Sequence, residues 1–100
     1  MKRRTIRYED TAREIVLDAV SQHTGIPVSA GDRLDDFHLD SLERTDLLIE
    51  LEDSCDDALQ RAFADPPKTR IDDREYHKVK TVEDLVQIVA YQLQKTIAGS

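Results

Sequence analysis

The sequence predicts an all-α bundle with three longer helices, one short helix and a long first loop. Two observations carry this. Apolar residues recur at three- and four-residue spacing in three separate segments, and no segment alternates apolar and polar residues as a half-buried strand does. Only three Gly and three Pro, with no Trp, are too few turn formers for a β-sandwich. At 100 residues the chain is one domain with one core. That core is expected over about residues 10–95, with 1–7 and 97–100 flexible.

The first helix is expected from about Asp10 to His23. Ala12, Ile15, Val16, Ala19 and Val20 fall on one helical face. Asp10 or Thr11 can cap its start, and Gly25 is a natural stop. Gly25 to Leu39 then reads as a long loop pinned by Ile26, Val28, Leu34, Phe37 and Leu39. Their spacing fits no helical period.

The second helix opens at Asp40-Ser41-Leu42-Glu43, where an acceptor side chain followed three residues later by Glu resembles a capping box. Leu42, Leu47, Leu48, Leu51, Cys55, Ala58, Leu59, Ala62 and Phe63 continue an apolar stripe until Asp65-Pro66-Pro67. From Ser41 to Ala64 the expected helix is about 36 Å long, which is long for so small a domain. Lys68 to Arg70 reads as linker, and Ile71 to Lys80 as a short helix with Tyr76 and Val79 inward. The last helix starts at Thr81, with Asp84 placed to reach back to it. Val82, Leu85, Val86, Val89 and Leu93 form its buried face.

Charge restricts the partners. The chain has 14 basic and 21 acidic residues, a formal net charge of -7. Nucleic acid is therefore not expected as a partner, because phosphate binding needs a basic surface. Partners with basic patches are favoured. The acids are concentrated. Between Asp35 and Asp57 stand ten acids and one base, Arg44, a net of -9 over 23 residues. Glu43, Asp46, Glu50 and Asp53 are spaced three, four and three apart, which puts them on one helical face. That face is either a solvated surface or a docking surface. No acidic loop has EF-hand spacing.

No apolar run reaches the ~20 residues of a membrane-spanning helix. The basic start Met1-Lys2-Arg3-Arg4 lacks the apolar stretch of a signal peptide. A soluble, cytoplasmic monomer is expected. Cys55 is the single cysteine, so no internal disulfide can form, and its place on the apolar stripe predicts a buried thiol. His23, His38 and His77 stand in three segments without metal-ligand spacing or a nucleophile nearby. No catalytic residue and no metal site is expected. Ser41 has two readings. It is a first-turn serine helping the cap, or it is a passive attachment point where the helix N-terminus would favour a phosphodiester.

The run Asp36-Phe37-His38-Leu39-Asp40-Ser41-Leu42 resembles the hallmark of acyl carrier proteins, an Asp-Ser-Leu triplet opening the second helix. The segment Glu43 to Asp53 is similar to that family's acidic recognition helix. Ile71 to Val82 is similar to its third helix and the Thr-Val that opens its fourth. The resemblance covers about residues 10–95 and implies a four-helix acyl-carrier-like bundle. It implies that Ser41 carries 4'-phosphopantetheine, added from coenzyme A by a phosphopantetheinyl transferase, with Asp40 helping to position that enzyme and its metal ion. It also implies that Glu43, Asp46, Glu50 and Asp53 meet Arg/Lys patches on acyl-processing enzymes.

Three departures stand out. His38 occupies a position where the family has Gly. If that position needs positive φ, histidine costs about 1–2 kcal/mol and the loop beside Ser41 is expected to be reshaped. Thr45 replaces an aliphatic residue. Cys55 stands at an aromatic position, and Ile71 lies sixteen residues further on, about twelve more than the family pattern. The extra residues are expected to extend the second helix, either as core or as lining for a long acyl chain. A comparable insertion occurs in carriers of very long acyl chains destined for lipid A. Two alternatives stay open: a peptidyl or aminoacyl carrier, and a non-carrier interaction module of the same fold.

Overall fold

The computed structural model describes residues 8–62, 65 and 68–98. It contains four α-helices: α1 (Tyr8–Thr24), α2 (Ser41–Ala62), α3 (Asp73–Lys78) and α4 (Val82–Ala98). A 3-10 turn at Leu34–Phe37 interrupts the long first loop. Among the described residues there is no strand, only an isolated bridge between Arg33 and Thr81. The expected all-α bundle, with three longer helices and one short one, is what the chain forms.

The core grows from the predicted stripes. Ala12, Val16, Ala19 and Val20 of α1 pack with Leu47, Leu51, Cys55 and Leu59 of α2. Val82, Leu85, Val86, Val89 and Leu93 of α4 complete it. The helix α1 packs most extensively on α4 and next on α2. Arg13 fastens the first pair from the surface, with Nη1 2.8 Å from Glu83 Oε1. At its C-terminal end α1 stops at Gly25, whose φ of 73° lets its N–H donate to the Ser21 carbonyl.

Several expectations need correction. Helix α1 already includes Tyr8, so Asp10 and Thr11 lie inside its first turns and do not cap it. Leu42, expected on the buried stripe, is 70% exposed, because none of the described residues covers its side chain on the first turn of α2. Ile26 is no anchor, being 51% exposed at the mouth of the loop. Val28, Phe37 and Leu39 do pack partly against the core, and Leu34 is buried. Residues 68–70 are not a free linker. Thr69 is buried, and its N–H donates to Asp56 Oδ1 at 2.7 Å. Helix α4 continues through Ile97, which packs partly on the core, so the flexible end expected from residue 97 does not begin there. Phe63 and the segments 1–7 and 99–100 lie outside the described residues.

The long α2 has a physical reason. Leu51, Cys55 and Leu59 are all essentially inaccessible, so its added turns are core as far as Leu59. Glu52 and Asp56 flank that stripe and take the main-chain N–H groups of Ile71 and Thr69. The returning chain is thereby fastened along α2 before α3 begins. At α3 the Asp72 side chain caps the helix by accepting from the Arg74 N–H at 2.8 Å. Tyr76 and Val79 point inward as the sequence predicts.

Candidate functional site

Asp40, Ser41 and Glu43 stand where the long loop meets α2, and Asp46, Glu50 and Asp53 follow along that helix. The loop is held by main-chain bonds to the start of α4. Leu34 N–H donates to the Lys80 carbonyl, while Val82 and Glu83 N–H donate to the carbonyls of Asp32 and Ala30. These bonds satisfy amides that a helix start leaves without intrahelical partners. The side chains of Thr81 and Asp84 close a reciprocal box on the same turn. The loop therefore reaches α2 along a defined path, not as free chain.

His38 makes the last turn of that path. It adopts φ 55° and ψ 38°, the left-handed region, and its N–H donates to the Asp35 carbonyl at 3.2 Å. The position needs positive φ, and the histidine takes that conformation itself instead of the turn being rebuilt. His is among the few non-Gly residues enriched there. Leu39 then anchors against the core and Asp40 caps α2. Asp40 Oδ1 accepts the Glu43 N–H at 2.8 Å, and Glu43 Oε1 accepts the Asp40 N–H at 3.3 Å. The expected capping box is present.

Ser41 is the first residue of α2 and is exposed. Its carbonyl accepts from the Thr45 hydroxyl at 3.0 Å, which keeps Thr45 turned along the helix. Among the described residues, the hydrogen bond at Ser41 from another side chain is that of Thr45 to its carbonyl. His23 lies against Glu50 and His77 beside Asp73.

The acidic face divides. Asp46 and Asp53 are exposed, and Glu43 is exposed but engaged in the capping box. Glu50 is half-buried, with Oε2 2.8 Å from His23 Nε2. That contact is an ion pair when the imidazole is protonated. Glu50 therefore belongs partly to the α1–α2 seam. Glu52 and Asp56, counted among the acids of this segment, hold the chain at 69–71. Their role had no sequence signal, since their partners are backbone amides.

Arg44 links α2 to α3. It follows Ser41 by one helical turn and is half-buried. Its guanidinium lies 5.7 Å from the Tyr76 ring centre, and its carbonyl accepts the Tyr76 O–H. Burial pushes the Tyr76 phenol above its ordinary range, partly offset by Arg44. Cys55 is fully buried, and loss of solvation, with Asp56 and Glu52 adding to it, pushes its thiol up to about 12. It is inert at neutral pH.

Two open cavities of about 610 and 600 Å³ lie against α4. Ile71, Ile88 and Tyr91 help line the second, but neither is lined by Ser41 or by any part of α2. Among the described residues no three His, Cys, Asp or Glu side chains converge on a metal position. No described helix is long and apolar enough to cross a membrane. No family model matches the chain, and no curated protein matches it.

Proposed function

We propose that this chain is an acyl carrier. Ser41 accepts a 4'-phosphopantetheine arm from coenzyme A, and the protein presents the arm's acyl thioester to partner enzymes of fatty acid or specialised lipid synthesis. The observation that carries the reading is the exposed Ser41 hydroxyl at the first residue of a capped, acidic helix, delivered by a loop pinned to α4. A helix start favours a phosphodiester, because its amides and dipole are complementary to an anion.

The roles of the chain's own residues follow. The thiol of the bound arm supplies the thioester chemistry. Asp40 fixes the turn that carries Ser41 and leaves the hydroxyl outward. Loading forms a bond from Ser41 Oγ to phosphorus, displaces adenosine 3',5'-bisphosphate from coenzyme A and leaves the hydroxyl proton with the transferase. Asp46 and Asp53, with Glu43 beside Ser41, supply negative charge for basic patches on the transferase and the acyl-processing enzymes. Glu50 contributes from the edge of that face. The protein works as a cytoplasmic monomer with no reaction of its own.

Incubation with coenzyme A and a panel of phosphopantetheinyl transferases tests the reading by intact mass. The wild type gains one phosphopantetheinyl group and Ser41→Ala gains none. A wild type that gains nothing from any transferase leaves the alternative of an interaction module. Aminoacyl cargo on the natural protein would favour a peptidyl or aminoacyl carrier.

A further inference from the structure

We infer that the groove along α4 is a docking site for an extended peptide segment of a partner protein, separate from the acidic face of α2 and independent of whether Ser41 is loaded. The groove is the cavity of about 600 Å³ between the chain at 70–75 and α4. Gln92 lines it and is only 9% exposed, unusual burial for a side-chain amide. Gln87, in the same lining, donates to Glu83 at 2.7 Å. By contrast, no described residue bonds to the Gln92 amide, and its atoms are not sealed from solvent, so the amide opens onto the cavity. A carboxamide offers a donor and an acceptor side by side. In an extended chain the N–H and C=O of one residue point to the same side, so a single peptide residue answers both.

Charge along the groove selects the peptide. At one end stand Arg70 and Lys95, both exposed and neither in an ion pair with a described residue. Lys95 Nζ lies 5.6 Å from the centre of the Tyr91 ring, and the one acid beside them, Asp72, is committed to the cap of α3. A smaller cavity of about 350 Å³ adjoins the first, sharing Glu75, Gln87 and Ile88 and adding Asp84 and Lys78. The groove is thus positive where it passes Arg70 and Lys95, and negative where it passes Glu75 and Asp84, with Lys78 offsetting part of that charge. Ile71, Ile88 and the 59% exposed Tyr91 give it apolar walls between the two ends. From Asp84 to Lys95 α4 rises about 16 Å, the length of about five residues of extended chain. A ligand of one sign meets repulsion at one end. A peptide with an acid and a base about four positions apart, and apolar residues between them, is matched along the whole groove.

Titration of the full, isotope-labelled chain with acetyl-Asp-Val-Leu-Val-Lys-amide and with acetyl-Lys-Val-Leu-Val-Asp-amide, followed by NMR, tests both chain directions. One of the two is expected to shift the Gln92 side-chain amide and the main-chain amides of Ile71 and Tyr91 in a saturable way, leaving those of Asp46 and Asp53 in place. N-methylating its three central residues should weaken binding about fivefold or more, the worth of one hydrogen bond. Replacing its Asp and Lys by Asn and Gln should weaken binding about threefold or more at low salt. Gln92→Leu should match the loss from N-methylation. Lys95→Glu, at an exposed position that leaves the fold intact, should match the loss from removing charge. The inference is overturned if neither peptide shifts these signals, or if the N-methylated peptide or the Lys95→Glu protein binds equally well. It is also overturned if raising the protein concentration alone moves the same signals, which would make a second copy the occupant. The same holds if decanoate moves them at lower concentration than either peptide, which would make the groove a site for a small anion.

Discussion

The Tyr76 hydroxyl donates to the main-chain carbonyl of Arg44, tying the six-residue α3 to the first half of α2. A helix that short has no stability of its own. Its position depends on the buried Tyr76 ring, on Val79 and on the Asp72 cap. Tyr76→Phe is expected to cost about 1 kcal/mol, the ordinary worth of one hydrogen bond. Tyr76→Ala should cost about 3–5 kcal/mol, because it also empties a core position. Urea unfolding followed by circular dichroism measures both. Equal losses for the two variants would mean that the ring contributes little to packing.

The left-handed turn at His38 gives a prediction of opposite sign. Its φ of 55° is strained for a side-chain-bearing residue. His38→Gly removes that strain but adds freedom to the unfolded chain, for a net gain of about 0.5–1 kcal/mol. His38→Val, a β-branched residue that tolerates the region poorly, should lower stability. Denaturation midpoints decide. A loss on glycine substitution would show that the imidazole makes a stabilising contact of its own.

At the start of α4 the Asp84 carboxylate accepts the N–H groups of Lys80 and Thr81, both at 3.2 Å. Those bonds hold its carboxyl below the ordinary value of 3.8, against a smaller opposing effect of burial. Glu83 is also held low, chiefly by its hydrogen bond from Arg13. A depressed carboxyl stabilises the fold fully above its unfolded pKa, and the effect is lost as pH falls through the folded value. Asp84→Ala is thus expected to cost about 1 kcal/mol at neutral pH. The gap between variant and wild type should close as pH falls below 3.8. Thermal melts from pH 7 downward measure it, and a gap that stays constant would assign the loss to helix propensity alone.

Local motifs are what the sequence makes legible in this fold. Asp40 with Glu43 and Thr81 with Asp84 are boxes whose partners lie three residues apart, and both form. The buried faces of α1 and α4 follow from periodicity alone. Leu42 fails because periodicity says which face a residue occupies but not whether a neighbour covers that turn. Glu52 and Asp56 were indistinguishable from docking acids, since the amides of Ile71 and Thr69 carry no sequence mark. The contact of Glu50 with His23 depends on the register of α1 against α2, which neither helix encodes by itself. Within the candidate site, the place of Ser41 was readable from its cap. Arg44 was not, because its surroundings are made by Tyr76, 32 positions later.

The most direct measurement of the central proposal is the intact mass of the protein isolated from the cell that makes it, with the modified peptide mapped. The wild type should be heavier than its sequence by a phosphopantetheinyl group, with or without an acyl chain, and the added mass should map to the peptide containing Ser41. Ser41→Ala expressed in the same cell should keep its sequence mass. A wild type found only at its sequence mass, or an added group mapping to any other residue, would contradict the account.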